Sequence, residues 1–74
     1  MKIKESKLID LKPGTMCRIS RTMCRTLGSN TKYDDRYRVG TKYDVNRITV
    51  RNMRTKEVFL FEGDLWVIVI PKRV

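Results

Sequence analysis

The sequence predicts an all-β fold, a small antiparallel sheet of five short strands that closes on itself as a barrel. Between Arg36 and Val45, every second residue from Tyr37 onwards is aromatic or β-branched, which is the period of a strand with one buried face. From Leu65 to Ile70, a continuous apolar run predicts a strand that is central to the sheet or buried on both faces. A sheet built from only 74 residues has to close in order to bury enough apolar surface.

One domain is predicted, with an N-terminal arm over 1–12, a barrel core over 15–70 and a basic tip over 71–74. The spacing of the apolar residues in the arm does not decide between helix and strand. The arm leads into Lys12-Pro13-Gly14-Thr15, which predicts a type II turn. Proline fixes φ at the second turn position, and glycine supplies the positive φ that the third position requires.

The first predicted strand covers 15–20, with Cys17 and Ile19 facing inward. The second covers 37–45, and Gly40 in its middle predicts a bulge or a sharp bend. Between these strands, 21–36 is predicted to be a continued strand or a long ordered loop, because Gly and Asp clusters within it are typical of loops.

The second half of the chain is predicted to form a hairpin and a final strand over 66–70. The hairpin strands cover 47–53 and 57–61, and the four-residue loop between them contains no glycine, which favours a type I loop. On the strand over 57–61, either Val58 and Leu60 or the two phenylalanines face inward. The predicted core draws on all five strands: Ile19, Tyr37, Val39, Val45, Ile48, Val50, Leu60, Trp66, Ile68 and Ile70.

This order of elements resembles that of the Src-homology-3-like barrels. The turn at Lys12-Pro13-Gly14 and the segment from Phe61 to Trp66 fit the family pattern, in which one turn of 3₁₀-helix, here 62–65, precedes the last strand. Peptide-binding members carry an Ala-Leu-Tyr-Asp-Tyr motif, a tryptophan pair and a proline–tyrosine pair, and this chain has none of them. A proline-rich peptide ligand is therefore not expected. Members of the class that bind RNA, DNA or ribosomal surfaces are basic, as this chain is.

The chain has a net charge of +9, from seventeen Lys and Arg against eight Asp and Glu, and it contains no histidine. Without histidine, Ser–His and Cys–His nucleophilic catalysis are excluded, and the chain is not expected to be an enzyme. The carboxylate pairs Asp34-Asp35 and Glu62 with Asp64 lack a base or nucleophile nearby, so we interpret them as loop residues that pair with arginines. No cofactor is expected, and no metal, because one cysteine pair cannot complete a tetrahedral site.

Two features of the sequence predict a cytoplasmic protein. The longest apolar run is far shorter than the roughly 20 residues of a membrane-spanning helix. The segment from Met1 to Leu11 also lacks the apolar stretch of a signal peptide. In that compartment, Cys17 and Cys24 are expected to be reduced thiols.

The positive charges are spread through the predicted sheet instead of forming a tail. Phosphate groups need such cations, and arginine adds bidentate hydrogen bonds and stacking on bases. Tyr33 lies outside the alternating face, so it is the predicted aromatic for base stacking. The predicted binding residues for nucleic acid or a partner protein are this tyrosine and the cations of the long loop, second strand and hairpin: Arg18, Arg21, Arg25, Lys32, Tyr33, Arg36, Arg38, Arg51, Arg54 and Lys56.

Two functions are predicted from this pattern. The first is a non-catalytic nucleic-acid-binding module that contacts the phosphates of RNA or single-stranded DNA with low sequence specificity. The alternative is a small adaptor or inhibitor that docks on an acidic partner protein, since small basic barrels of this kind resemble accessory proteins of phages and mobile elements. Both functions use the same arginine-rich face.

Overall fold

The computed structural model describes residues 4–28 and 30–71. Within them, the chain forms strands, one α-helix and a one-turn 3₁₀-helix at Leu8–Asp10. The strands and the α-helix run in chain order: β1 (Lys4–Lys7), β2 (Met16–Arg18), α1 (Arg21–Leu27), β3 (Tyr37–Lys42), β4 (Arg47–Asn52), β5 (Val58–Glu62) and β6 (Trp66–Val69).

The described strands form one antiparallel sheet of six strands in the order β1-β6-β2-β3-β4-β5. The antiparallel β architecture is therefore confirmed, but the prediction of five strands in a closed barrel is wrong. The sixth strand is β1, which comes from the segment predicted as an arm and pairs along β6 from Lys4 with Val69 to Lys7 with Trp66. Strands β1 and β5 are left as the two edges of an open sheet.

The 3₁₀-helix after β1 is hydrogen-bonded to the segment between β5 and β6. The N–H of Leu8 donates to the Leu65 carbonyl at 2.9 Å, and the N–H of Ile9 donates to the Gly63 carbonyl at 2.8 Å. Leu8 is fully buried as a result. The segment 62–65, which the family resemblance implied to be a 3₁₀ turn, is instead a tight turn closed by Leu65 N–H and the Glu62 carbonyl.

The segment after β2 is an α-helix, so the prediction of a strand or loop over 21–36 is wrong for 21–27. Ser20 caps the helix, because its hydroxyl accepts a hydrogen bond from the Met23 N–H at 3.2 Å. Gly28, with φ of +105°, ends it. Cys24 is buried, and Met23 and Leu27 pack against the core, so one side of α1 covers the inner face of the sheet.

The core lies on the inner face of the sheet. Among the predicted core residues, five are buried: Ile19, Tyr37, Val39, Ile48 and Val50. On β5 the phenylalanine alternative is the correct one, since Phe61 is buried and Phe59 packs against the core, with the two rings stacked at 5.7 Å. Cys17 is buried as predicted.

Three predicted core residues are exposed. Val45 is 86% exposed, because β3 ends at Lys42 and the residue falls in the following turn. Leu60 points outward because its neighbours on β5 face the core, and Trp66 points outward because Val67 faces inward on β6. Ile68 and Ile70 are only partly buried.

Two glycine predictions are confirmed. Gly14 has φ of +93° in a turn that is closed by the Thr15 N–H and the Lys12 carbonyl at 3.1 Å. At Gly40 the register between β3 and β4 shifts between Val39 and Lys42, which is the predicted bulge.

Cys17 and Cys24 are both buried, and neither forms a disulfide. Burial raises the pKa of Cys17 to about 11, so the thiol form is retained at neutral pH.

Among the residues that the structure describes, none of the helices is both long and apolar enough to cross a membrane.

Candidate nucleic-acid interface

The outer face of the sheet carries a row of side chains that crosses four strands. In this row Arg38 on β3 lies directly opposite Met16 on β2 and Arg51 on β4, and Arg51 lies opposite Val58 on β5. Directly opposed residues share one face of a sheet with their Cβ atoms about 5 Å apart. Arg38 and Arg51 are therefore neighbours on the outer face, and both are exposed.

Two further arginines extend this row along the strands. Arg36 is exposed between the buried residues Asp35 and Tyr37, and its carbonyl accepts a hydrogen bond from the Met53 N–H at 2.9 Å, so it continues the outward alternation of β3. Arg18 lies two residues beyond Met16 on β2 and therefore on the same face. We refer to Arg18, Arg36, Arg38 and Arg51 as the outer basic face.

Tyr33 lies beside this face but is already in contact with two cations. The guanidinium carbons of Arg18 and Arg21 lie 4.8 Å and 4.5 Å from the centre of its ring. Cation–π contacts of this length hold the guanidinium groups in place. The Nε atom of Arg18 is buried and lacks a hydrogen-bond partner in the structure. The ring of Tyr33, which is 37% exposed, thus groups two of the predicted binding arginines.

Three other predicted cations are exposed in separate settings. Arg25 follows Arg21 by one turn on α1, and it borders a shallow hollow together with Gly28. Lys32 is exposed, and its backbone N–H donates to Asp35 Oδ2 at 2.8 Å. Lys56 has φ of +68° in the turn between β4 and β5.

Arg54 differs from the rest because its charge is paired. Its Nε and Nη2 atoms donate to the two oxygens of Asp35 at 2.6 Å and 3.0 Å, and Nη2 also donates to the Asn30 carbonyl. Asp35 accepts further hydrogen bonds from Asn52 Nδ2 at 3.1 Å and from the Lys32 N–H. The hydrogen bond from Arg54 is the main cause that holds the pKa of Asp35 well below its usual range. This contact joins the loop before β3 to the β4–β5 turn.

Half of the carboxylates lie in one connected region away from this row. The N–H of Ile9 donates to the Gly63 carbonyl, and the N–H of Gly63 donates to the Asn46 carbonyl at 2.6 Å, which links the 3₁₀-helix and two turns. These three segments carry four of the eight acidic residues: Asp10, Asp44, Glu62 and Asp64.

The described salt bridges do not involve the outer basic face. Across residues 4–28 and 30–71, the two salt bridges are Arg47 with Asp44 and Arg54 with Asp35. Neither includes a member of the outer basic face. The charges of Arg36, Arg38 and Arg51, which are exposed, are thus available to an external anion.

A groove lies on the outer face beside Arg38 and Arg51. It has a volume of about 510 Å³, and its lining includes Gly14, Gly40 and Val58 as well as the two arginines. Gly40 leaves the groove open because it places no side chain at the outward position that follows Arg38 on β3. Sequence reasoning identified each arginine, but not this groove, because the cross-strand register that forms it is not visible in a single strand.

Comparisons of the chain with protein-family models, characterised proteins and solved structures find no match. In the part of the chain that the structure describes, there is also no group of three or more Cys, Asp or Glu side chains arranged to hold a metal ion.

Proposed function

We propose that the chain is a non-catalytic nucleic-acid-binding module that contacts the phosphates of RNA or single-stranded DNA through the outer basic face. The observation that supports this most directly is that Arg18, Arg36, Arg38 and Arg51 share one face of the sheet and have no carboxylate partner in the described salt bridges. Arginine suits this role because its planar guanidinium can donate two parallel hydrogen bonds to a phosphate.

Low sequence specificity is part of the proposal. Phosphate contacts position a protein on nucleic acid but carry no base information. Around Arg38 and Arg51 the outer face presents guanidinium groups and the aliphatic side chain of Val58, which suit backbone contacts. The order of turn, strand, helix and loop, hairpin and final strand supports an architectural resemblance to the Src-homology-3-like class. A cytoplasmic location stays a prediction from the sequence.

Binding of short fluorescent oligonucleotides at several salt concentrations tests this function. If four to six phosphates are contacted, the slope of log K against log salt should be about −3 to −4 for a single strand, and oligonucleotides of different sequence should give similar affinities. The Arg36→Gln variant should reduce the magnitude of this slope by roughly 0.7, as expected for one lost phosphate contact. Arg47→Gln is the matched control, since Asp44 already neutralises that guanidinium. Absence of binding at low salt by nuclease-treated protein would rule the function out.

An adaptor function is the second candidate, and one observation favours it. Strand β5 is an edge of the sheet, and its outward residues Val58 and Leu60 are exposed apolar side chains. An exposed edge can accept a strand from another protein, and an acidic strand would suit the charge of this chain. Pulldown from lysate with and without nuclease separates the candidates, because only a protein partner is retained stoichiometrically after nuclease treatment.

A further inference from the structure

The Arg38–Arg51 pair places like charges directly opposite each other on neighbouring strands. Such pairs destabilise a sheet unless a counter-charge lies nearby. Neither arginine takes part in the salt bridges that the described residues form. The pair therefore brings two positive charges without a salt-bridge partner to neighbouring positions beside the groove.

The shape of the groove beside this pair is fixed by the close approach of Gly40 and Thr49. A Cβ at Gly40 would lie 3.0 Å from the Thr49 carbonyl oxygen and closer still to Thr49 Oγ1, so the bulge excludes any side chain there. Thr49 is itself fixed, because its hydroxyl donates to the Thr41 carbonyl at 3.0 Å. The floor of the groove is thus held open on the outer face.

The other wall of the groove is the turn before β2. This turn is bound to β3 through the Gly14 N–H to the Val39 carbonyl at 2.7 Å and the Val39 N–H to the Thr15 carbonyl at 2.9 Å. Arg38 Nη2 lies 4.0 Å from the position that a Cβ on Gly14 would occupy, so the guanidinium extends along the turn. The absence of a side chain at residue 14 keeps that guanidinium accessible from the groove.

We propose that this groove is a nucleotide subsite, in which one phosphate of a single-stranded nucleic acid is held by Arg38 and Arg51 together. The inference rests on the nucleic-acid-binding function proposed above and specifies where one nucleotide lies. A volume of about 510 Å³ falls within the range of about 300–1,000 Å³ found for small-molecule sites. Val58 and Pro13 add apolar walls, which suit the sugar and base of an unpaired nucleotide better than the outside of a duplex.

The first experiment asks whether the two arginines hold the same phosphate. The salt dependence of binding to a short single-stranded oligonucleotide is measured for the unmodified chain, Arg38→Gln, Arg51→Gln, the double variant and Arg47→Gln as the charge-matched control. If one phosphate is shared, the double variant reduces the magnitude of the slope by no more than roughly 0.7, the value for one lost phosphate contact. The affinity losses are then strongly non-additive.

Each alternative result overturns the proposal in a recognisable way. If the magnitude of the slope falls by roughly 1.4 in the double variant, the two arginines contact separate phosphates. A double variant that resembles Arg47→Gln means that the groove is not used, while binding by the unmodified chain leaves the general function intact. Absence of binding by the unmodified chain removes both the subsite and the proposed function, and equal affinity for a duplex of the same sequence removes the single-strand preference.

The second experiment uses the four glycines of the chain as reporters. In a ¹H–¹⁵N spectrum titrated with the oligonucleotide, the amide signals of Gly14 and Gly40 should shift, because both residues line the groove. Those of Gly28 and Gly63 should not, because neither lines it. Uniform shifts of all four, or shifts at Gly28 and Gly63 alone, would contradict the assignment. The same spectra establish that each variant remains folded.

Discussion

Arg54 and Arg38 are both arginines, but only Arg54 is paired with a carboxylate in the described salt bridges. Arg54 is 45% exposed and donates to Asp35, whose side chain is only 2% exposed. Arg38 faces another arginine across the sheet and has no salt bridge among the described residues. A count of positive charges assigns both to one binding face, whereas the structure separates a cation that stabilises the fold from one that is available for binding.

The two regions should therefore respond oppositely to loss of charge. Around Asp35, removal of a partner leaves buried polar groups without hydrogen bonds, including Asn52 Nδ2. On the outer basic face, removal of one arginine relieves repulsion between neighbours. Stability measurements test the first region, and binding measurements test the second.

The largest effect on stability is expected for Asp35→Ala. This change removes a carboxylate that accepts hydrogen bonds from Arg54, Asn52 and the Lys32 backbone, and it should cost about 3 kcal/mol, the lower end for a broken buried ion pair, because Arg54 can still reach water. Urea unfolding provides the measurement. A loss no larger than that of Asp44→Ala, whose carboxylate belongs to the more exposed of the two salt bridges, would mean that the Asp35 network does not stabilise the fold.

Acid should weaken the same region. The pKa of Asp35 is lower in the folded chain than its ordinary value of about 3.9, chiefly because of the hydrogen bond from Arg54. The stability due to the ionised carboxylate is therefore fully present above that ordinary value, and it is lost as pH falls below it towards the folded pKa. Unfolding free energies measured from about pH 6 downwards should fall less steeply in Asp35→Asn than in the unmodified chain. Parallel curves for the two proteins would contradict this origin of the acid sensitivity.

Much of the sheet could be predicted because its signals are local. The alternation of β3, the turn at Gly14 and the bulge at Gly40 each depend on residues close together in sequence. The helix α1 also had local signals, namely a capping serine at residue 20 and a glycine at residue 28, but the apolar spacing between them was too short to be recognised as helical.

The features that were missed depend on contacts between distant parts of the chain. Strand β1 has the sequence Lys-Glu-Ser-Lys, which carries no apolar alternation, and it is a strand because β6 offers it an edge to pair with. Asp35 and Arg54 are nineteen residues apart, so their pairing could not be distinguished from that of any other loop carboxylate. For the same reason, the sequence could not separate Arg54 from the binding arginines.

Tyr33 offers a smaller and sharper test of the outer region. If its ring stacks on a base, Tyr33→Ala should weaken oligonucleotide binding by about 1–3 kcal/mol and leave the salt slope unchanged. If the main role of the ring is to hold Arg18 and Arg21 in place through the two cation–π contacts, Tyr33→Ala should also reduce the magnitude of the salt slope. Tyr33→Phe keeps the ring and should resemble the unmodified chain in both cases.

The smallest expected effect is a gain in stability on the outer basic face. Arg51→Gln removes one of two like charges that lie directly opposite each other, so it should leave the free energy of unfolding unchanged or raise it by up to about 1 kcal/mol at low salt. Added salt should reduce that gain, because it screens the repulsion between exposed charges. Urea unfolding of this variant at low and high salt provides the measurement, with Arg47→Gln as the variant that instead loses an attractive pair. A clear loss of stability in Arg51→Gln would mean that Arg51, like Arg54, supports the fold. Oligonucleotide binding by that variant would then be measured under conditions in which it is fully folded.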